Sequence, residues 1–364
     1  MFETLLATAA YVFLISTVVG IHELGHYLAG RALGVQPVEL SIGFGRLLFS
    51  RTDARGCRWA FRAIPMGGYV KFLGDRDAAS SGSVEVPEAQ RRRTMAGAGP
   101  GPRAIIAFAG PFANFVLTFV VLTGLYSGVG RLYTPAVVEG VLPGSAAEAA
   151  GFRTGDRIVA VGGVAVSRFE DMQSLIVARA GMPTAVEILR EGSGLTLNAT
   201  PAATQVEDNF GRRREIGRIG LKGGARVFET VPVASAFAYG ISDMAFLARQ
   251  IGQILRETLV GERPVDQLAG PARIAEAAGD AMRSGWANLL FLVAFFSINL
   301  GLMNLLPIPI MDGGLIALCG VEALRGRPLG EKAQRVVTAT GLVMVGCLML
   351  VVVVNDFRYL ISRL

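Results

Sequence analysis

Histidine is almost absent from this 364-residue sequence, which has two, His22 and His26. Cysteine is nearly as scarce. Cys57, Cys319 and Cys347 are scattered, odd in number and free of any Cys-x-x-Cys pattern, which excludes a disulfide framework and a thiolate metal site. No stretch interleaves aromatic with basic residues, so nothing points to nucleic acid as a partner. The formal +6 charge comes mainly from arginines flanking apolar segments, where orientation signals or contacts with anionic lipid account for them. The N-terminus lacks the basic n-region of a signal peptide, carrying Glu3 instead. Its apolar run also outlasts any plausible cleavage site, so the segment is expected to stay in the mature chain. Charged residues make up only 18% of the sequence against 52% hydrophobic, the balance of a membrane protein carrying a soluble part.

Both histidines fall in Gly20-Ile21-His22-Glu23-Leu24-Gly25-His26, a His-Glu-x-x-His pattern directly after the uncharged run Leu5 to Ile21. On a helix, residues four apart share a face, so His22 and His26 can offer two imidazole nitrogens to one ion, with Glu23 about 100° round the helix. Zinc takes imidazole readily and, held by three protein ligands, keeps a position for water that a nearby carboxylate can deprotonate. A lone histidine is more often a satisfied core residue. Ionisable groups at membrane depth, however, are expensive unless paired or liganded, and here two imidazoles and a carboxylate arrive together.

Leu5 to Leu28 is long enough to cross a hydrocarbon core and is expected to be the first span (about 5–28). Between Arg31 and Arg103 stand twelve Lys or Arg against six Asp or Glu, which by the positive-inside rule places this segment in the cytoplasm and the N-terminus outside. Within it, Val38 to Gly45, Trp59 to Ile64 and Gly67 to Phe72 look like short strands, a hairpin region over 35–75. They form either a plain structural hairpin or a sheet whose free edge pairs with an unwound substrate segment. Arg91-Arg92-Arg93 and the Gly/Pro-rich run to Pro102 read as a mobile, lipid-facing linker. The second span is expected at about 104–126; inside it Asn114 either touches substrate or bonds a neighbouring helix, the helix contact being slightly favoured.

The long polar region from Tyr133 to about Gly285 is then external. A strand is expected over Ala136 to Val141, a short helix over Ser145 to Ala150, a strand over Arg157 to Val161 and a helix over Phe169 to Ala178. Thr184 to Arg190 should pair with Leu195 to Thr200 across Glu191-Gly192-Ser193-Gly194. After Gln205, an arginine-rich loop including Arg212 leads to helical stretches at Val233 to Leu259 and Ile274 to Arg283, the first expected at the membrane interface. A third span follows at about 286–306, running into Asn304-Leu305-Leu306-Pro307-Ile308-Pro309-Ile310-Met311-Asp312-Gly313-Gly314. Two prolines there free backbone groups that are tolerated at depth only around a buried or hydrated cavity. Asp312 is the candidate third ligand, or else the cap of the next helix. A basic loop with Arg325, Arg327, Lys332 and Arg335 precedes a fourth span at about 336–354, which returns the C-terminus to the outside.

The run Pro143 to Phe152 with Gly155-Asp156-Arg157-Ile158-Val159 resembles bacterial PDZ domains, over roughly Pro135 to Pro201. By analogy, the strand near Val137 to Val141 would border a peptide groove. The His-Glu-x-x-His, the Ala109-Gly110-Pro111-Phe112-Ala113-Asn114 run, this insert and the Asn304 to Gly314 segment together resemble the site-2 protease family, most of all the bacterial regulators of sigma-E protease. The resemblance implies a multi-pass α-helical membrane protein of four transmembrane helices, with a small membrane-associated β-sheet and an inserted α+β PDZ domain. Its parts would be a first catalytic half over 1–130, a PDZ domain over 133–203, an amphipathic helical linker over 204–285 and a second catalytic half over 286–364. It implies Zn2+ held by His22, His26 and Asp312, Glu23 as catalytic base, and Asn304 on the substrate backbone. Some members carry two tandem PDZ domains; only one is visible here.

The expected function is zinc-dependent cleavage of transmembrane segments of single-pass membrane proteins, such as anti-sigma factors or signal-peptide remnants, after a first cut has shortened them. The protein would sit in a bacterial inner membrane with N-terminus, PDZ domain and C-terminus on the periplasmic side. A peptide or substrate C-terminus is expected at the PDZ domain. Two rivals are a membrane adaptor with a structural metal site and a metal or proton carrier. A structural zinc site is usually closed by four ligands and rich in Cys, and a carrier would place acids in several spans; neither pattern is present.

Overall fold

The computed structural model describes residues 2–75, 86–207, 213–225, 227–260 and 270–361. In chain order the elements are α1 (Phe2–Ala32), β1 (Pro37–Thr52), β2 (Arg58–Phe72), α2 (Pro100–Gly128), β3 (Arg131–Tyr133), β4 (Val138–Val141), α3 (Ala146–Ala149), β5 (Arg157–Val161), β6 (Val164–Ala165) and α4 (Phe169–Val177). They continue with β7 (Thr184–Arg190), β8 (Ser193–Ala199), β9 (Ala202–Glu207), β10 (Arg213–Arg218), β11 (Leu221–Gly223), β12 (Val227–Glu229), α5 (Val233–Leu259), α6 (Pro271–Arg283), α7 (Trp286–Asn304), α8 (Asp312–Arg325) and α9 (Glu331–Ile361). The chain divides into two units, one of residues 1–125, 234–259 and 265–364, the other built on residues 126–233.

In the first unit, α1, α2, α7 and α9 are long and apolar enough to cross a membrane. Close helix approach explains the small residues in their sequences. A Cβ at Gly25 would stand 2.3 Å from the Ala109 carbonyl oxygen, so α1 and α2 meet backbone to backbone, and one at Gly279 would stand 2.7 Å from Ala7 Cβ, seating α6 on α1. Ala10, Leu14 and Val18, spaced by four along α1, are buried with Ala278, Leu289 and Val293 in one apolar cluster.

Strands β1 and β2 pair antiparallel in a doubled-back sheet. Pro37 to Ile42 runs beside Gly68 to Phe72, while Leu47 to Thr52 runs beside Arg58 to Arg62, and the bend between them uses Gly43 at φ 87° and Gly45 at φ 80°. Such angles exclude most side chains. Gly68 to Phe72 thereby becomes an edge, with no further strand beside it among the described residues. Arg91-Arg92-Arg93, expected in a linker, lies in a 3-10 turn, Glu88–Arg93, closed by buried Thr94, and the Arg93 carbonyl accepts from Gln36 N–H at 2.9 Å.

The second unit carries a four-stranded antiparallel sheet in the order β6-β5-β7-β8. Its core is apolar: Val138, Ile158, Val161, Val186 and Ile188 are each at most 1% exposed, packed with Met172 and Ile176 from α4. The β7–β8 turn is tighter than expected. Arg190 faces Ser193, leaving Glu191 (φ 50°) and Gly192 (φ 82°) as a two-residue loop, the positive-φ geometry that matches strand twist.

Two expectations for this region are corrected. The start of the stretch read as a helical linker over 204–285 carries strands instead, among the described residues, with β9 pairing β10, β11 pairing β4, and β12 pairing β3. Arg212 lies outside the described residues. Strand β4, expected to border a groove, has neighbours on both edges. Leu221 and Lys222 pair with Val141 and Gly140 on one side, while Val138 N–H donates to the Asp156 carbonyl (2.9 Å) on the other.

Candidate metal centre

His22 and His26 lie on one face of α1 in its buried half, and Asp312 opens α8. Asp312 is far from the histidines in sequence, and the fold brings the three together. Helix α7 ends at Asn304, because Pro307 and Pro309 cannot continue it, and Ile310 is forced to φ 82°, a strained conformation for a β-branched residue. The chain then re-enters a helix at Asp312. Gly313 and Gly314 permit this: a Cβ on either would stand 2.3 Å from the carbonyl oxygens of Leu305, Leu306 or Ile308.

The Nε2 atoms of His22 and His26 are 3.2 Å apart, and Asp312 Oδ2 and Oδ1 lie 3.2 and 3.4 Å from them respectively. His26 Nδ1 is 2.7 Å from the Ile106 carbonyl oxygen, which can only accept, so the ring proton sits on Nδ1 and the Nε2 lone pair points at the other two groups. Acceptors converging this closely repel unless a cation lies among them. Two nitrogens each about 2.0 Å from one tetrahedral ion stand about 3.3 Å apart, so the observed separations suit zinc.

Glu23, 8% exposed, shares a cavity of about 480 Å³ with both imidazoles, Asp312, Asn304 and the Gly67 to Val70 edge of β2. The backbone N–H of Val70 is directed at its carboxylate, and a Cβ at Gly68 would stand 3.1 Å from Glu23 Cγ. Asn304 Nδ2 is 3.2 Å from His22 Nε2, at the rim of the cluster.

Sequence reasoning missed two residues here. Asn114, favoured as a tie between helices, reaches His22 itself, with Nδ2 3.3 Å from Nδ1. It also bridges helices through its carbonyl, which accepts from Ser297 Oγ at 2.9 Å. Gly110 is the second. A Cβ there would be 2.3 Å from His26 Nε2 and 2.9 Å from His22 Cε1, so α2 can pass the imidazoles only because this position has no side chain. The signal for both was their spacing of four in the Ala109 to Asn114 run, which puts them on one helix face.

Residues 10–348 match the family described as Peptidase family M50. A protein of Agrobacterium fabrum named as a zinc metalloprotease is 39% identical over 361 residues, covering 97% of this chain and 96% of its own length. A Rhizobium meliloti protein named likewise is 39% identical over 360 residues, covering 96% of each. Metalloprotease MmpA of Caulobacter vibrioides is 34% identical over 382 residues, covering 97% of this chain and 96% of its own. With the match spanning almost the whole chain and running through the histidine motif and Asp312 alike, this membrane protein belongs to peptidase family M50, the site-2 protease family, and is a peptide-bond hydrolase.

Proposed function

We propose that this protein is a zinc-dependent intramembrane endopeptidase that cuts transmembrane segments of single-pass membrane proteins after a first cleavage has shortened their external part. The observation that carries the reading is the convergence of His22, His26 and Asp312 beside Glu23, in a unit whose helices are long and apolar enough to span a bilayer. His22, His26 and Asp312 would hold zinc, which when bound would polarise a scissile carbonyl and make an attacking water more acidic. Glu23 would serve as the base, taking a proton from the attacking water and passing it to the leaving nitrogen. A helical substrate satisfies its own main chain in lipid, so cleavage needs a locally unwound segment whose freed groups find partners. The Gly67 to Val70 edge, beside the cavity, supplies such partners by strand addition, and the Asn304 amide supplies another.

Localisation in an inner membrane, with the N-terminus and the second unit external, is supported by the excess of Lys and Arg between the first two spans. Contact of the β1–β2 sheet with lipid is supported by the exposure of Leu48, Phe49, Phe61 and Ile64. The second unit acts as a PDZ domain that binds a peptide or substrate C-terminus, with β11 in place of β4 as the strand beside which a peptide would add.

Replacing Glu23 with Gln keeps the ligands and removes the base. Purified Glu23→Gln protein in detergent is expected to hold zinc as the wild type does and to cut a model transmembrane substrate at least about 1000-fold more slowly. Residual cleavage near the wild-type rate would overturn the reading.

A further inference from the structure

The two imidazoles of the centre are held by different devices. His26 Nδ1 donates to a backbone carbonyl, that of Ile106, whereas His22 Nδ1 faces the side-chain amide of Asn114. Asn114 is fully buried, out of reach of bulk solvent. Its Oδ1 has no hydrogen-bond partner among the described residues. An amide's oxygen and nitrogen are told apart only through the network they join, and here the network permits two arrangements.

If the amide nitrogen faces His22, it donates to the Nδ1 lone pair, and the imidazole proton must sit on Nε2. That proton points at His26 Nε2, 3.2 Å away, and at Asp312, and blocks coordination through Nε2. If the amide is turned by half a rotation, Oδ1 accepts from an Nδ1–H, the orphaned oxygen gains its partner, and the Nε2 lone pair is free for an ion. Only the second arrangement is compatible with metal on His22.

We propose that Asn114 is a positioning residue which, with its oxygen turned to His22 Nδ1–H, fixes the tautomer and ring orientation that let His22 bind metal. Its own placement is rigid: the main chain at Asn114 is bonded by Ser297 Oγ from α7, and a Cβ on Gly301 would stand 3.4 Å from its Cβ. A partner on the far nitrogen of a metal-bound imidazole typically changes metal affinity by about 10–100-fold. The inference rests on the cluster being a metal site, and the test separates the two claims.

The measurement is zinc affinity of the full chain in detergent, by competition with a chromophoric chelator, which does not depend on activity. Asn114→Asp keeps an oxygen acceptor and is expected to bind zinc at least as tightly as wild type. Asn114→Leu keeps the size without the acceptor and is expected to bind about 10–100-fold more weakly. Equal affinity in Asn114→Leu and wild type, or equal loss in both variants, would overturn the positioning role. Failure of the wild type to bind zinc would instead overturn the metal site. Should the leucine variant not fold, the wild type still decides. With two histidines in the chain, 15N-histidine labelling yields two rings, and the zinc-loaded protein is expected to carry the proton on Nδ1 in both. A proton on Nε2 of His22 in that state would refute the proposal.

Discussion

The interior around the metal centre and the interior of the 126–233 unit are both tightly buried, yet they are made of opposite materials. In the second unit the least exposed side chains are apolar, Val138, Ala147, Ile158, Val161, Val186 and Ile188, with Asp156 the one charged exception among the described residues. Around the centre, Asn114, Thr118 and Ser297 have no exposure at all, beside buried His22, Glu23 and His26. Apolar burial is non-directional, so the second unit is held by volume and area. The polar interior is held by direction: each donor needs its acceptor, and the helices must stand at distances that only glycine allows. One region is thus sensitive to side-chain volume lost, the other to a single atom gained.

The sharpest break of that contrast is one methyl group. Gly110→Ala places a Cβ against both imidazoles, against 2.3 Å of available space at His26 Nε2. Zinc affinity is expected to fall by at least about 100-fold, more than loss of a supporting hydrogen bond. The matched control is Gly194→Ala in β8, where nothing lies within 4 Å of the new atom, and it should leave zinc affinity and folding unchanged. A Gly110→Ala protein that binds zinc like the wild type would show that α2 yields, and would end the claim that directional packing governs this region.

The opposite perturbation removes volume. Ile158→Ala takes a 1% exposed side chain out of the second unit's core, and large-to-small changes of this kind cost about 2–5 kcal/mol. Denaturant unfolding of that unit should shift by this amount, with zinc affinity of the full chain within about twofold of wild type. A proportional loss of zinc binding would mean the two regions are energetically one.

The same contrast explains what the sequence made legible. Long apolar runs announce membrane-length helices, and α1, α2, α7 and α9 overlap the runs expected to span. His22, Glu23 and His26 are adjacent in sequence, and Asp312 stands out as a carboxylate beyond two prolines in an apolar stretch, so their meeting could be anticipated. Asn114 was ambiguous because an amide in an apolar helix serves a neighbouring helix or a site equally well, and here it does both. Strands β9 to β12 escaped notice because they have three to six residues each, too short for an alternating pattern to emerge from their arginine- and glycine-rich surroundings. The doubling-back of β1 and β2 was hidden in single glycines, whose positive φ is a property of the folded backbone alone.

The smallest expected effect concerns charge. Buried carboxylates away from the metal cluster include Glu39 in β1 and Asp156 before β5. Burial pushes Glu39 up, but hydrogen bonds from Tyr69, Arg58 and Arg62 outweigh it and hold the carboxyl at about 2, below its usual 4.5. Burial likewise opposes Asp156, and the Arg190 guanidinium, with Nε 2.7 Å from Oδ1, brings it below the ordinary range. A carboxylate depressed in the folded state stabilises it above the unfolded pKa and loses that contribution as pH falls toward the folded value. For Glu39 the window runs from about 4.5 down to about 2, and going from pH 7 to pH 4 should remove of the order of 1 kcal/mol. Hydrogen exchange, corrected for the intrinsic rate, should show this as faster opening of the β1 and β2 amides at pH 4. In Glu39→Gln that dependence should shrink in β1 and β2, where Asp53 in the turn between them keeps a remainder, while persisting in β5 and β7, where Asp156 carries it. An unchanged dependence in β1 and β2 would mean the cluster of Arg58, Arg62 and Tyr69 holds the sheet without the charge of Glu39, and that direction matters there no more than it does in the apolar core.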